Sequence, residues 1–226
     1  SLTFLLSALL VLVSITGTAT NISGIVNRYA SVTAIDYTAN TVVISSATHF
    51  SVNDKVLLIQ MKGASITESN TTSFGNVTAL NDAGKWEYLT ISSISGTTVA
   101  FQYMIERTYT PATGAVQLVK VPQYTDATIT ADLLGKAFDG NNGGVIAIDV
   151  VNTLTLNADI DADGIGFRGA TAQGLGSCDW WASYTNYYYA SGGFGANKGE
   201  GIANFITSKE SGRGKQANGG GGANNH

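Results

Sequence analysis

After residue 20 the apolar positions recur every second residue, and no long window repeats them at helical spacing. Period two, with Val, Ile, Thr and Tyr enriched, predicts strands. They fall near 30–36, 41–47, 55–62, 87–94, 97–105, 115–121, 127–131, 144–150 and 153–162. Turn chemistry separates them. "SISGTTV" reads as a tight hairpin in which Gly96 supplies a positive φ. In "TPATGA", Pro111 presets φ and Gly114 closes a longer turn. In "VLLIQM", Leu57, Ile59 and Met61 face one side, and Val56, Leu58 and Gln60 the other. A strand apolar on both faces is predicted to be central. Strands spaced about 8–12 residues apart predict a small all-β barrel or sandwich over 24–122. The polar, turn-rich stretch 64–85 reads as a long exposed loop.

The pattern changes after Pro122. Ile146, Ile148 and Val150 form one alternating set. Leu154, Leu156, Ala158, Ile160 and Ala162 form the next. Joined by the short "VNT", they predict β-helix-like rungs or a second β layer over 123–163. From 164 to 226 glycine dominates, and most of the chain's 27 glycines lie after residue 134. A conventional hydrophobic core is hard to build there. Two states stay open for this glycine-rich extension: disorder, or stacked extended chains that approach closely because they lack Cβ.

The first 19 residues change the setting. "SLTFLLSALLVLVSITGTAT" has no charge and an apolar block from Phe4 to Ile15. Gly17 and Ala19 follow with the spacing of a cleavage site. Residues 1–19 therefore read as a secretory signal peptide lacking its basic start, cleaved after Ala19. The block is shorter than the ~20 residues of a membrane span. The expectation is a piece of an exported protein, at the cell surface or outside it. Charged residues make up 12% and the net charge is −4. The 12 Lys and Arg are scattered, so no basic patch points to nucleic acid. The lone Cys178 implies a free thiol or a partner elsewhere, and neither His49 nor His226 is placed as its base.

"NADIDADGIGFRGA" (157–170) contains two motifs. Asp159, Asp161, Asp163 and Gly164 match half of a calcium loop. Position twelve, however, is Ala170 rather than a bidentate acid, and the flanking segment is strand-like. Alternation places Asn157, Asp159, Asp161 and Asp163 together on one solvated strand face. Calcium remains the single metal considered, on those three aspartates. Gly164, Gly166 and Gly169 match a dinucleotide fingerprint, but no amphipathic helix follows and the acids would repel phosphate. No nucleotide is expected. "SGRGKQ" is not a phosphate loop, because Gln216 stands where Ser or Thr is needed. Carboxylates two apart on one strand lie about 6.6–7 Å apart at Cα. That spacing is within reach of an inverting glycosidase pair at ~6.5–9.5 Å. It supplies an alternative, a polysaccharide-active β-helix enzyme using Asp159, Asp161 and Asp163. No basic or aromatic partner is fixed beside those acids.

The stretch "CDWWASYTNYYY" gathers Trp180, Trp181, Tyr184, Tyr187, Tyr188 and Tyr189 in a chain that is 9% aromatic. Such rings either anchor a loop on a β surface or stack on a glycan. Sequons at Asn21, Asn70 and Asn76 matter only in a eukaryotic secretory route.

Five stretches follow in order: "FSVNDKVLLIQMKGA", "VQLVKVPQY", "LTLNADIDADGIGFRGA", "KGEGIA" and "GRGKQANGGGGANNH". Together they resemble the N-terminal region of large glycine-rich, adhesin-like surface proteins of gliding-type Bacteroidota, over about residues 25–226. Such proteins often carry gliding-motility-associated or type IX secretion sorting domains. The resemblance implies a very long, repeat-bearing adhesin that engages export machinery, and it supplies no catalytic residues. The glycine-rich part is also similar, in composition only, to glycine-rich domains of some receptor ectodomains. The sequence-based expectation is a non-enzymatic exported adhesin or structural module without a cofactor. Its partners would be surface glycans or other cell-surface proteins. The alternatives are a carbohydrate-binding module using the 180–189 aromatics and the enzyme above.

Overall fold

Alternation from residue 28 onward produces strands with one aliphatic face, and that face must be covered. The computed structural model describes residues 18–171, 185–189 and 195–222. The chain is all-β. Its strands are β1 (Thr20–Ile25), β2 (Arg28–Asp36), β3 (Thr41–Ile44), β4 (Lys55–Gln60), β5 (Ser65–Ile66), β6 (Val77–Ala79), β7 (Trp86–Ser95), β8 (Thr98–Phe101), β9 (Val116–Lys120), β10 (Gln123–Leu134), β11 (Asp149–Leu156) and β12 (Ile160–Asp161).

Six of these strands close into an antiparallel barrel in the order β2-β3-β8-β7-β4-β9. Closure decides between the two expected architectures, and it removes every free edge. The interior is filled by Val32, Val42, Ile44, Val56, Leu58, Ile91, Val99 and Leu118 with their neighbours. Gly96 takes φ 59 at the β7–β8 turn, as its sequence predicts. Val56, Leu58 and Gln60 point inward and are fully buried. Leu57 and Ile59 point outward beneath Val145 and Ala147, beside Val119, Val121 and Tyr29. Strand β4 is therefore covered on both faces.

The remaining strands form a different object. β1, β10 and β11 lie parallel in that order, and β12 also pairs with β10. Each paired residue of β10 lies beside the residue 26 or 27 positions later, as in Gln123 with Asp149 and Leu133 with Ile160. This is a β-helix-like parallel repeat, one of the two arrangements expected for 123–163. β1 pairs with the other edge of β10, with Ile22 beside Ile129. The barrel is thus inserted between the first two strands of the parallel sheet, β1 and β10. The sequence reading started the barrel at 24 and left β1 unassigned. The strand pattern of "NISGI" is too short and too glycine-broken to stand alone, and the partner that stabilises it lies beyond the barrel.

Two sequence-based strands differ from those observed. The run 144–148 is extended but unpaired and serves as a strap across the barrel. The run 153–162 is broken at 157–159, between β11 and β12. The stretch 64–85 is not wholly exposed. It forms the β5–β6 pair, and Ala64 and Phe74 are buried. Residues 195–222 pack against the barrel as irregular chain with a short 3-10 helix at Thr207–Lys209. Their backbones bond to other segments, as in Gly63 N to Ile202 O at 2.8 Å, Gly199 N to Gly220 O at 2.9 Å and Ala217 N to Gly75 O at 3.1 Å.

Candidate functional site

Where the glycine-rich segment meets the barrel, the buried groups are polar. Lys62 follows β4, Arg168 follows the β12 turn, and Glu200 lies in the 195–205 stretch. The Glu200 carboxylate accepts from Arg168 Nε at 2.9 Å, Arg168 Nη2 at 2.7 Å, the Arg168 backbone N–H at 3.3 Å and Lys62 Nζ at 3.1 Å. In return the Glu200 N–H donates to Arg168 O at 2.9 Å. The Lys62 and Glu200 side chains are each only 6% exposed. The forked bonds from Arg168, with the Lys62 ammonium behind them, hold the Glu200 carboxyl down at about 2 against burial. At neutral pH this group is a fixed anion and carries no proton to donate. Three of the five stretches behind the family resemblance, "QMKGA", "GFRGA" and "KGEGIA", meet at this carboxylate.

Lys198 is buried nearby. Its ammonium donates to Lys209 O at 2.8 Å and to Ser211 O. It also lies 5.3 Å from the centre of the Phe74 ring. Burial lowers its pKa to about 8. A cavity of about 320 Å³ opens beside these groups, with Arg168, Lys198, Glu200, Phe205 and Glu210 among its walls. Its volume lies at the lower end of the ligand-pocket range, and the charges on its Glu200 side are satisfied by each other.

Four buried amides act in a related way. Gln117 donates to Gly143 O and accepts from Gly143 N–H, both at 2.8 Å. Asn27 donates to Lys120 O at 2.9 Å and Ala147 O at 2.6 Å, and accepts from Ala147 N–H at 3.1 Å. Gln60 holds Asn81 and Thr110, and Gln216 holds Ile206 and Lys209. Each amide offers a donor and an acceptor to a passing backbone, as a neighbouring strand would. Among the described residues no buried side-chain polar atom lacks a partner. The sequence reading missed these residues. For Gln60 and Gln117 the sequence signal is a glutamine inside an aliphatic strand, "VLLIQ" and "VQLVK"; Asn27 and Gln216 carry none.

The aromatic cluster is described in part. Trp180, Trp181, Tyr184 and Cys178 lie outside the described residues. Tyr187, Tyr188 and Tyr189 are half-buried. Tyr188 packs on Phe74 at 5.3 Å, and Lys209 Nζ stands 4.8 Å from its ring centre. Arg213 lies 4.2 Å over Tyr187. A Cβ on Gly212 would meet Tyr188, and one on Gly214 would meet Tyr187. The Asn70 side chain accepts from Tyr187 N–H at 2.6 Å, so this sequon is folded into the same junction. Another aromatic pair, outside that cluster, is open to solvent. Trp86 and Tyr88 point outward from β7, 50% and 49% exposed. Their rings meet edge to face at 5.6 Å.

The three aspartates do not share one strand face. Asp159 lies in the break, Asp161 on β12, and Asp163 in the turn after it. The chain kinks because Asp159 O accepts from Leu133 N–H at 2.9 Å, starting a new pairing with β10. Asp161 Oδ1 accepts from Asp163 N–H at 2.8 Å. Among the described residues no three His, Cys, Asp or Glu side chains gather as a metal site.

No protein-family model matches the chain, and no curated protein does. Solved structures with a weak likeness include two phage proteins. One is the Gp54 tailspike of Acinetobacter baumannii bacteriophage AP22, solved in complex with A. baumannii capsular saccharide. It is 12% identical, with TM-score 0.30, over 64% of this chain and 24% of that one. The other is the tailspike protein gp49 from Pseudomonas phage LKA1. It is 14% identical, with TM-score 0.29, over 63% of this chain and 23% of that one. The chain spans about a quarter of the length of either.

Proposed function

We propose that this chain is a non-enzymatic module of an exported surface protein, acting in adhesion or as a scaffold. One observation carries the reading. The only deeply buried carboxylate of the described residues, Glu200, is locked between Arg168 and Lys62 and braces the glycine-rich segment on the barrel. Ionisable groups arranged this way hold a shape rather than turn over a substrate. The parallel sheet, the inserted barrel and the strapped glycine-rich chain make a body suited to display surfaces. Deleting the gene is expected to reduce surface attachment or gliding. Unchanged attachment would count against adhesion, and turnover on a broad polysaccharide panel would overturn the non-enzymatic reading. If turnover appeared, its loss on changing Asp159, Asp161 and Asp163 to Asn would assign it to those acids.

Glycan contact is the second reading, and the exposed Trp86–Tyr88 pair favours it. Flat exposed rings stack on sugars; the Lys55 ammonium already lies 4.9 Å from the Tyr88 ring centre, so Trp86 is the main platform. Loss of glycan-array signal on Trp86→Ala and Tyr88→Ala would place contact on the barrel. Loss on Trp180→Ala and Trp181→Ala would place it on the 180–189 aromatics. Signal unchanged in all four variants would sink both versions.

A further inference from the structure

Three polar hollows lie side by side along the 110–115 turn. The first holds about 220 Å³ between β2 and the turn, with Ser31, Thr33 and Asn141 in its walls. The second holds about 250 Å³ and shares Gly114, Ala115 and Asn141 with the first. The third holds about 300 Å³ and shares Thr113 and Asn204 with the second. Because neighbours share walls, the three form one groove.

The walls are fixed before any ligand arrives. Asn204 Nδ2 donates to Thr113 O, and Ala115 N–H donates to Lys62 O at 3.2 Å. A Cβ on Gly114 would stand 2.4 Å from Lys62 O, so the turn lies flush on the chain beneath it. Asp139 Oδ1 accepts from the N–H groups of Asn141 and Asn142 at 2.9 and 3.0 Å, and Asn142 Nδ2 donates to Ser31 Oγ at 2.9 Å. Such preorganisation lowers the cost of binding. Two exposed side chains on these turns are uncommitted. Thr113 Oγ1 and the Asn141 carboxamide have no hydrogen-bond partner among the described residues. Thr113 faces the second and third hollows, and Asn141 the first and second.

The chemistry of the walls selects the ligand. Lys62 is spent on Glu200, and Glu68 at the third hollow pairs with Lys209 at 2.7 Å. An anionic chain needs cations and finds none free here. The barrel is closed, so it offers no strand edge to a peptide. The free amide and hydroxyl sit among the small apolar surfaces of Pro111, Ala112 and Ala115. A pyranose matches both, with hydroxyls at its rim and C–H bonds on its faces. We infer that this groove binds a neutral, linear oligosaccharide, one sugar unit to each hollow, held by Thr113 and Asn141. The inference rests on the glycan-contact reading for its class of partner and places the contact at residues other than Trp86 and the 180–189 aromatics.

Titration calorimetry of the whole chain tests it with two matched pairs of β-1,4-linked hexamers, mannohexaose with hexamannuronate and cellohexaose with hexaglucuronate. A neutral hexamer is expected to bind about tenfold or more tightly than its own acid, because no cation receives the carboxylates. Thr113→Val and Asn141→Ala are each expected to weaken it about three- to tenfold, the loss of one hydrogen bond. Ala112→Trp fills the second hollow and is expected to abolish binding, and Trp86→Ala is expected to leave it unchanged. Unfolding midpoints report whether each variant keeps its fold, and Thr113→Val preserves the shape of the residue if the tryptophan disturbs the turn. Tighter binding of the acid would overturn the inference. Binding lost on Trp86→Ala but kept in the three groove variants would also overturn it and leave the glycan reading standing. No binding of either neutral hexamer at millimolar concentration would overturn the groove, and a blank glycan array beside it would remove the glycan reading as well.

Discussion

At the scale of residues, the informative chemistry is the buried charge on Glu200. Two cations and a backbone amide share one carboxylate, and removing its charge leaves Lys62 buried without a counterion. Glu200→Gln is expected to cost about 3–5 kcal/mol, the usual penalty for breaking a buried pair, read from urea unfolding. The pH dependence follows from its depressed pKa, about 2 in the fold against 4.5 as the ordinary value. Stability from this group is fully present above about pH 4.5 and is lost as pH falls through about 2. Asp139 adds to the same window. Burial pushes its carboxyl up, but Lys136 and the amides of Asn142 and Asn141 more than offset this and bring it to about 2. The unfolding midpoint should therefore fall steeply over that range, and less steeply in Glu200→Gln. An unchanged slope would mean that other carboxylates dominate. Lys198 acts in the same direction in a higher pH window. Its folded pKa of about 8 lies below the ordinary 10.5, so its share of stability increases as pH rises between those values. A Lys198→Met variant is expected to lose that rise, as read from unfolding midpoints across the same range.

At the scale of elements, the glycine-rich segment is held by closeness rather than by hydrophobic burial. Gly75 has φ +81, and a Cβ there would stand 1.8 Å from Lys215 O. Gly164 has φ +66 with nothing within 4 Å of its Cβ position. Gly164→Ala should cost only the left-handed penalty of about 1–2 kcal/mol. Gly75→Ala should cost more and detach the 211–222 stretch. Limited proteolysis would show new cleavage there in Gly75→Ala and not in Gly164→Ala. Equal cleavage in both would mean that backbone conformation, and not close approach, sets the cost. Glycine is therefore placed by contact at some positions and by φ at others, and composition does not separate the two.

At the scale of the whole molecule, the question is what joins the barrel to the parallel sheet. The ion pair Lys55–Asp149 spans the seam at 2.7 Å, but both side chains are about a third exposed. Exposed pairs of this kind contribute about 0–1 kcal/mol. Asn27 lies within the seam and ties Lys120 to Ala147. Asn27→Ala would leave these buried backbone groups unpaired, at about 1–3 kcal/mol. Asp149→Asn is therefore expected to shift the unfolding midpoint little, and Asn27→Ala clearly. The reverse order would assign the seam to electrostatics. Leu57, Val119 and Val121 beneath the strap supply the apolar part of the joint.

By itself the sequence determined the all-β class, most strand positions, the double-sided burial of β4 and the hairpin at Gly96. These are local consequences of period-two alternation and of φ at single residues. Nothing local could show that β1 belongs with β10, because the whole barrel lies between them in the sequence. The same holds for Lys62, Arg168 and Glu200, three charges in three separate stretches. Each reads alone as an ordinary surface group, and only the tertiary fold buries them around one another. The aspartates show the converse. Alternation aligned them on one face, and the pairing of Ile160 with Leu133 broke the strand and separated them. Long-range hydrogen bonding outweighed local periodicity there, because a buried backbone group left without a partner costs more than a kink.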